Sequence, residues 1–153
     1  MNVDFFMKEA IIEADKAYNL NEIPVGGILV DNTTNKIVAR SYNSVNKDKN
    51  AIKHCELNLI QETCERLKLK YLENMTLFVT LEPCTMCAAA LVQARIGQVI
   101  YGAEDNKRGG FGGTIDLSKH DSAHHKMIIT KGILAQNCKN KIKIWFKKMR
   151  SQK

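Results

Sequence analysis

From about residue 4 to residue 20 the apolar side chains fall at positions 7, 10, 11, 14, 17 and 18, the spacing of one helical face, with Asp4 as its N-cap. The segment Asn21-Glu-Ile-Pro24 breaks that helix. Val25-Gly-Gly-Ile-Leu-Val30 reads as a buried strand whose glycines let another backbone or a ligand come close. Residues 31–35 have turn composition, which makes 36–42 the return strand of a hairpin. A polar stretch over 43–50 leads into a second helix, where Leu57, Ile60, Cys64 and Leu67 recur at helical spacing. Thr76, Phe78, Val79 and Thr80 mark a third strand; Pro83 stops it and opens a helix that begins with Cys84. Ile96-Gly-Gln-Val-Ile-Tyr101 and Met127-Ile-Ile-Thr130 are further strand-like runs. The glycine cluster between them, within residues 107–113, lacks the Gly-Lys-Ser/Thr ending of a phosphate-binding loop and reads as a mobile loop. A last helix, about 133–150, carries Leu134, Cys138, Ile142, Trp145 and Met149 on its apolar face.

Helices and strands alternate with no internal repeat and no low-complexity linker. The expected fold is α/β: one domain over residues 1–153, in three α/β/α layers around a five-stranded sheet, made mixed by the hairpin. The 44% hydrophobic content suits a soluble domain, and no apolar run approaches a membrane span. The first residues lack a charged leader and a cleavage site, so a cytoplasmic location with no membrane partner is expected.

Charge changes the picture once it is placed along the chain. Positions 139, 141, 143, 147, 148, 150 and 153 hold seven Lys or Arg and no acid, leaving 23 − 7 = 16 basic against 16 acidic residues elsewhere. A neutral body with a basic last helix points to a polyanion, nucleic acid first. Lys139, Lys143, Lys147 and Arg150 make the stripe continuous on that helix.

Five cysteines, two of them as Cys84-x-x-Cys87, argue for metal or redox chemistry rather than a disulfide framework. In a helix's first turn both thiols meet free N–H groups and the positive end of the helix dipole, which favour thiolate. Two thiolates are half a tetrahedral zinc site. The third ligand is expected upstream at His54, in His54-Cys55-Glu56. In a regular helix His54 and Glu56 would stand about 200° apart, so both can face one site only if His54 sits at the ragged start of its helix. Three protein ligands leave a fourth position for water, as a catalytic zinc site does, and Glu56 beside it can carry protons.

His-x-Glu followed by Pro-Cys-x-x-Cys is a recognised signature of zinc nucleobase deaminases. Together with Glu22-Ile-Pro-Val-Gly26, Asn43, residues 76–87, Arg95-Ile-Gly97, Gly102-Ala-Glu-Asp105, Lys107 and Ile129-Thr-Lys-Gly-Ile-Leu134, it makes the chain resemble the bacterial tRNA adenosine deaminases from its first helix to about Arg150. The resemblance implies a cytidine-deaminase-like fold, a homodimer, and conversion of a wobble adenosine, typically of an arginine tRNA, to inosine by hydroxide attack at C6 and loss of ammonia. It implies one zinc ion per subunit on His54, Cys84 and Cys87, with Glu56 as proton carrier. It makes Asn43 the reader of the purine edge, Asp105, Asn106 and Lys107 a loop contacting neighbouring nucleotides, and the end of the last helix, Lys147 and Arg150 included, a contact for the anticodon arm.

Cys55 departs from the alanine usual in that family and reads as a small buried hydrophobe. Cys64 and Cys138 read as core, and His120, His124 and His125 as surface residues outside the metal site. Two other readings remain at this point. A deaminase of free bases or nucleosides would share the zinc motif but has no need of the basic stripe. A binding module with structural zinc would leave Glu56 without a role.

Overall fold

The computed structural model describes residues 1–152; Lys153, the last of the basic residues counted above, lies outside them. The elements are α1 (Val3–Asn19), β1 (Gly26–Asp31), β2 (Lys36–Tyr42), α2 (Val45–Asp48), α3 (Cys55–Leu67), β3 (Met75–Leu81), α4 (Thr85–Gln93), β4 (Gln98–Ala103), β5 (Ile128–Thr130) and α5 (Ala135–Ser151). The strands form one sheet in the order β2-β1-β3-β4-β5. β1 pairs antiparallel with β2 and β3, whereas β3–β4 and β4–β5 are parallel, so the sheet is mixed as expected.

Strand alternation sorts the core into two halves. Ile28, Val30, Phe78 and Ile100 face α1 and α5, where they meet Phe6, Met7, Ala10 and Cys138. Leu29, Leu77, Val79, Val99 and Tyr101 face α3 and α4, where they meet Cys55, Leu59, Ala88 and Leu91. The result is a three-layer α/β/α sandwich. Phe78, fully buried with its ring 5.3 Å from that of Phe6, is worth about 3–5 kcal/mol against alanine.

The glycines of β1 serve packing. A Cβ on Gly26 would fall 2.2 Å from the Ala14 nitrogen, so α1 lies directly on the strand. α5 is fixed by the Lys141–Asp15 ion pair at 2.6 Å and by Lys148, whose ammonium sits 4.6 Å from the centre of the Tyr18 ring. That seating turns Lys139, Lys143, Lys147 and Arg150 outward, all exposed.

Four local expectations are corrected. The N-cap of α1 is Asn2, whose side chain accepts from the Phe5 N–H at 3.0 Å, and Asp4 lies in the first turn. The polar stretch after β2 contains α2, a single turn whose N–H groups are held by Glu22. In α3 the buried face is Cys55, Glu56, Leu59 and Thr63; Ile60 and Cys64 pack against the core only partly buried and Leu67 is exposed, so the 57/60/64/67 stripe is not the helix's fully buried face. The glycine cluster is packed rather than free: Gly109, Gly110 and Phe111 are buried, and Gly110 donates to the Pro83 carbonyl at 2.9 Å.

Candidate active site

The site forms at the carboxyl ends of the two central parallel strands, where open α/β sheets place their ligands. β3 ends at Leu81 and Pro83 redirects the chain, leaving Cys84 as the N-cap of α4 and Cys87 in its first turn. Across from them His54 is the N-cap of α3, with extended backbone (φ −76°, ψ 151°). This is the ragged helix start that the His-x-Glu spacing requires. It frees the His54 ring from the helical screw, and Glu56 in the first turn can face the same site.

His54 Nδ1 stands 3.5 Å from Cys84 Sγ and 3.6 Å from Cys87 Sγ, and the three donor atoms lie within 4.8 Å of one another. Among the described residues no other His, Cys, Asp or Glu joins the group. One imidazole and two sulfurs at this separation suit a borderline-soft cation such as zinc. A hydrogen bond from Cys87 pulls Cys84 down to about 4, helped by His54, while the same bond and burial push Cys87 up. Cys84 in turn raises the affinity of His54 for a proton. A divalent cation would replace those protons.

Glu56 is 4% exposed. Burial raises its carboxyl to about 7, with Cys84 adding to the rise and its own backbone N–H and His54 opposing it. A carboxyl balanced near neutrality can both take and give a proton. Cys55, between His54 and Glu56, turns away: it is fully buried, its thiol is 3.3 Å from the Ser41 carbonyl, and burial pushes it well above the ordinary thiol range. The core reading of Cys55 holds in the structure.

A cavity of about 850 Å³ opens from His54, Cys84 and Glu56. Asn43, Asp105, Asn106 and Lys107 line it, and so do Lys139, Ile142, Lys143, Trp145 and Phe146 of α5. Asn43 is buried, and its Oδ1 accepts from the Cys55 N–H at 2.8 Å, so the amide NH₂ is the group left for a ligand. Asp105 Oδ1 accepts from the Lys107 and Arg108 N–H groups, which ties that carboxylate into its own turn. Trp145 Nε1 is buried without a hydrogen-bond partner among the described residues. Lys147 and Arg150 lie farther along the same exposed stripe, outside the cavity lining. His120 and His124 are exposed, and His125 pairs with the Ile96 carbonyl at 2.7 Å.

Three wall residues have no role assigned in the sequence reading. Arg108 lines this cavity and a smaller one of about 350 Å³ that also borders His54 and Cys84. Glu22 accepts from Asn46 and Lys47 at 2.9 and 2.7 Å, and Glu82 accepts from Asp105, Phe111 and Gly113 at 3.0, 3.0 and 2.9 Å. Nothing in periodicity marks Glu22. An acid ending a strand of buried residues is a signal that could have found Glu82.

Residues 1–103 match the family model of the cytidine and deoxycytidylate deaminase zinc-binding region. The chain belongs to that family. Curated relatives within it include the tRNA-specific adenosine deaminase of Rickettsia bellii, 38% identical over 94% of this chain and 99% of that one. The tRNA-specific adenosine deaminase of Bacillus subtilis is 38% identical over 98% of this chain and 92% of its own length. A solved tRNA:A34 deaminase, studied for A-to-I editing at the wobble position of transfer RNA, superposes with a TM-score of 0.85 at 34% identity, covering 90% of this chain and 98% of that one. The guanine deaminase of Nitrosomonas europaea superposes with a TM-score of 0.78 at 13% identity, covering 93% of this chain and 83% of its own, a likeness of fold alone. The family is a zinc-binding one, and the His-Cys-Cys group described above fits that metal by donor type and spacing.

Proposed function

We propose that this chain is a zinc-dependent tRNA deaminase that converts the wobble adenosine of an anticodon to inosine. One observation carries the reading beyond the family: the metal group and the basic, aromatic face of α5 open on one cavity. A free base needs only the floor of that cavity. Lys139 and Lys143 with Trp145 and Phe146 add what an RNA loop presents, phosphates and unstacked bases.

His54, Cys84 and Cys87 would hold zinc, which lowers the pKa of a bound water to about 7 and so supplies hydroxide at neutral pH. Glu56 takes the proton from the attacking water and delivers it to the departing amine nitrogen. Asn43, fixed through its Oδ1 by Cys55, presents its amide to the purine edge. The base enters already unpaired, because an anticodon loop exposes it, so the enzyme opens no duplex. Asn106 and Lys107 at the rim contact the neighbouring nucleotides, with Asp105 shaping their turn. Lys139, Lys143, Lys147 and Arg150 supply affinity and register through phosphates along the anticodon arm.

An arginine tRNA as substrate rests on the family resemblance alone. Function in the cytoplasm follows from that substrate, and no described helix is long and apolar enough to cross a membrane. We also propose a homodimer. Leu57, Ile60 and Cys64 of α3 and Met86 and Ala90 of α4 are only partly buried and Ala89 is exposed, apolar surface that a second copy could cover. The test of function is nucleoside mass spectrometry after incubation with an arginine tRNA transcript and, separately, with adenosine, cytidine, guanine and cytosine. Inosine from the tRNA alone is expected. Turnover of a free base with the tRNA untouched would move the chain to nucleobase metabolism.

A further inference from the structure

Glu82 is 2% exposed, and among the described residues no Lys or Arg pairs with it. A buried, unpaired carboxylate is costly unless hydrogen bonds replace the water it has lost. Here three backbone donors do so. Oε1 accepts from the Asp105 N–H at 3.0 Å, and Oε2 from Phe111 at 3.0 Å and Gly113 at 2.9 Å. The donors all belong to the segment that follows β4.

The glycines of that segment sit where it wraps the carboxylate. A Cβ on Gly109 would fall 2.2 Å from Glu82 Oε2, and one on Gly113 would fall 2.7 Å from Oε1. Two more contacts fasten the segment to the metal turn: Gly109 bridges to Cys84, and Gly110 donates to the Pro83 carbonyl. The three rim residues Asn106, Lys107 and Arg108 are carried on the turn between these anchor points.

We propose that Glu82 is a positioning residue for substrate binding: it clamps the 105–113 segment against the metal turn, so that Asn106, Lys107 and Arg108 meet the RNA already in place. The inference rests on the deaminase reading for its substrate, but the clamp itself can be read without one. Charge is the operative property. Glutamine has the same shape, yet either orientation of its amide points an NH₂ at one or more of the three N–H donors, so bonds that were charge-assisted are lost or weakened.

The test compares Glu82→Gln, Gly109→Ala and the double variant with the wild type, as purified zinc-loaded enzyme. It reads zinc content, steady-state kinetics on an anticodon stem-loop, and hydrogen exchange of the peptide spanning 105–113. Both single variants are expected to keep their zinc, to raise KM roughly tenfold while kcat moves less than about threefold, and to exchange faster in that peptide. The double variant should be no worse than the more affected single, since both break one clamp. Wild-type KM and exchange in Glu82→Gln would overturn the proposal, as would additive effects in the double variant. Loss of zinc with a collapse of kcat would also overturn it, because Glu82 would then serve Cys84 rather than the rim. If Glu82→Gln does not fold, Gly109→Ala decides on the same readouts. If the wild type makes no inosine, the substrate reading fails, and the exchange data still uphold or reject the clamp.

Discussion

The metal group and α5 face one another across the same cavity and follow opposite design rules. His54, Cys84, Cys87 and Glu56 come from two helix starts, are half or fully buried, and depend on separations of a few ångströms. Their value is all or nothing, because a metal site that loses a ligand loses its chemistry. Lys139, Lys143, Lys147 and Arg150 come from one helix and are exposed, so in the proposed function they would act through charge that salt screens. Their value would then be additive. On that reading the molecule keeps its chemistry where geometry is rigid and its RNA affinity where loss of one residue is tolerable.

The sharpest way to break this comparison is at the metal. Stripping the protein with a chelator should abolish inosine formation, and added zinc should restore the wild type but not Cys84→Ala; metal analysis beside the activity assay checks both arms. Glu56→Ala comes next. It should retain zinc and lose about 10³-fold in kcat, within the range for removing a general acid–base group. Inosine at the wild-type rate from that variant would sink the proton-carrier role.

Effects on the α5 side should be graded. Replacing Lys139 and Lys143 together by alanine should raise KM for the anticodon stem-loop and leave kcat at saturation nearly unchanged. The slope of log affinity against log salt should fall in magnitude by about 0.7 per lost phosphate contact, so by about 1.4 for the pair, as filter binding at several salt concentrations would show. An unchanged slope would mean that these lysines do not meet phosphate.

What the sequence made legible follows the same division. Contacts local in sequence were readable: the hairpin, Cys84-x-x-Cys87 at a helix start, and the basic stripe all appear in the structure where spacing put them. His54 at a helix start was also readable, because only there can it share a site with Glu56 two residues on. What failed was orientation and long-range bonding. Cys64 reads as core from its apolar face, yet the fully buried face of α3 is Cys55, Glu56, Leu59 and Thr63, and Cys64 packs against the core only partly buried. Glu82 binds N–H groups 23 to 31 residues away, and no periodicity records such a bond. For the same reason the glycine cluster reads as a mobile loop, although the missing side chains of Gly109 and Gly113 make room for a carboxylate.

The smallest expected effect tests whether rigidity at the metal extends to every neighbouring atom. Cys55 lies between His54 and Glu56, but its thiol packs toward Ser41 and Gly27, on the sheet side of α3. Cys55→Ala removes one buried sulfur and should cost about 1 kcal/mol of stability, read by denaturant unfolding, with zinc content and inosine formation unchanged. Closeness in sequence would then confer no share in the site, because the helix that delivers Glu56 to the cavity points its predecessor into the core. A variant that loses zinc would show instead that the sulfur supports the metal group, and the line between chemistry and packing would have to be drawn one residue later.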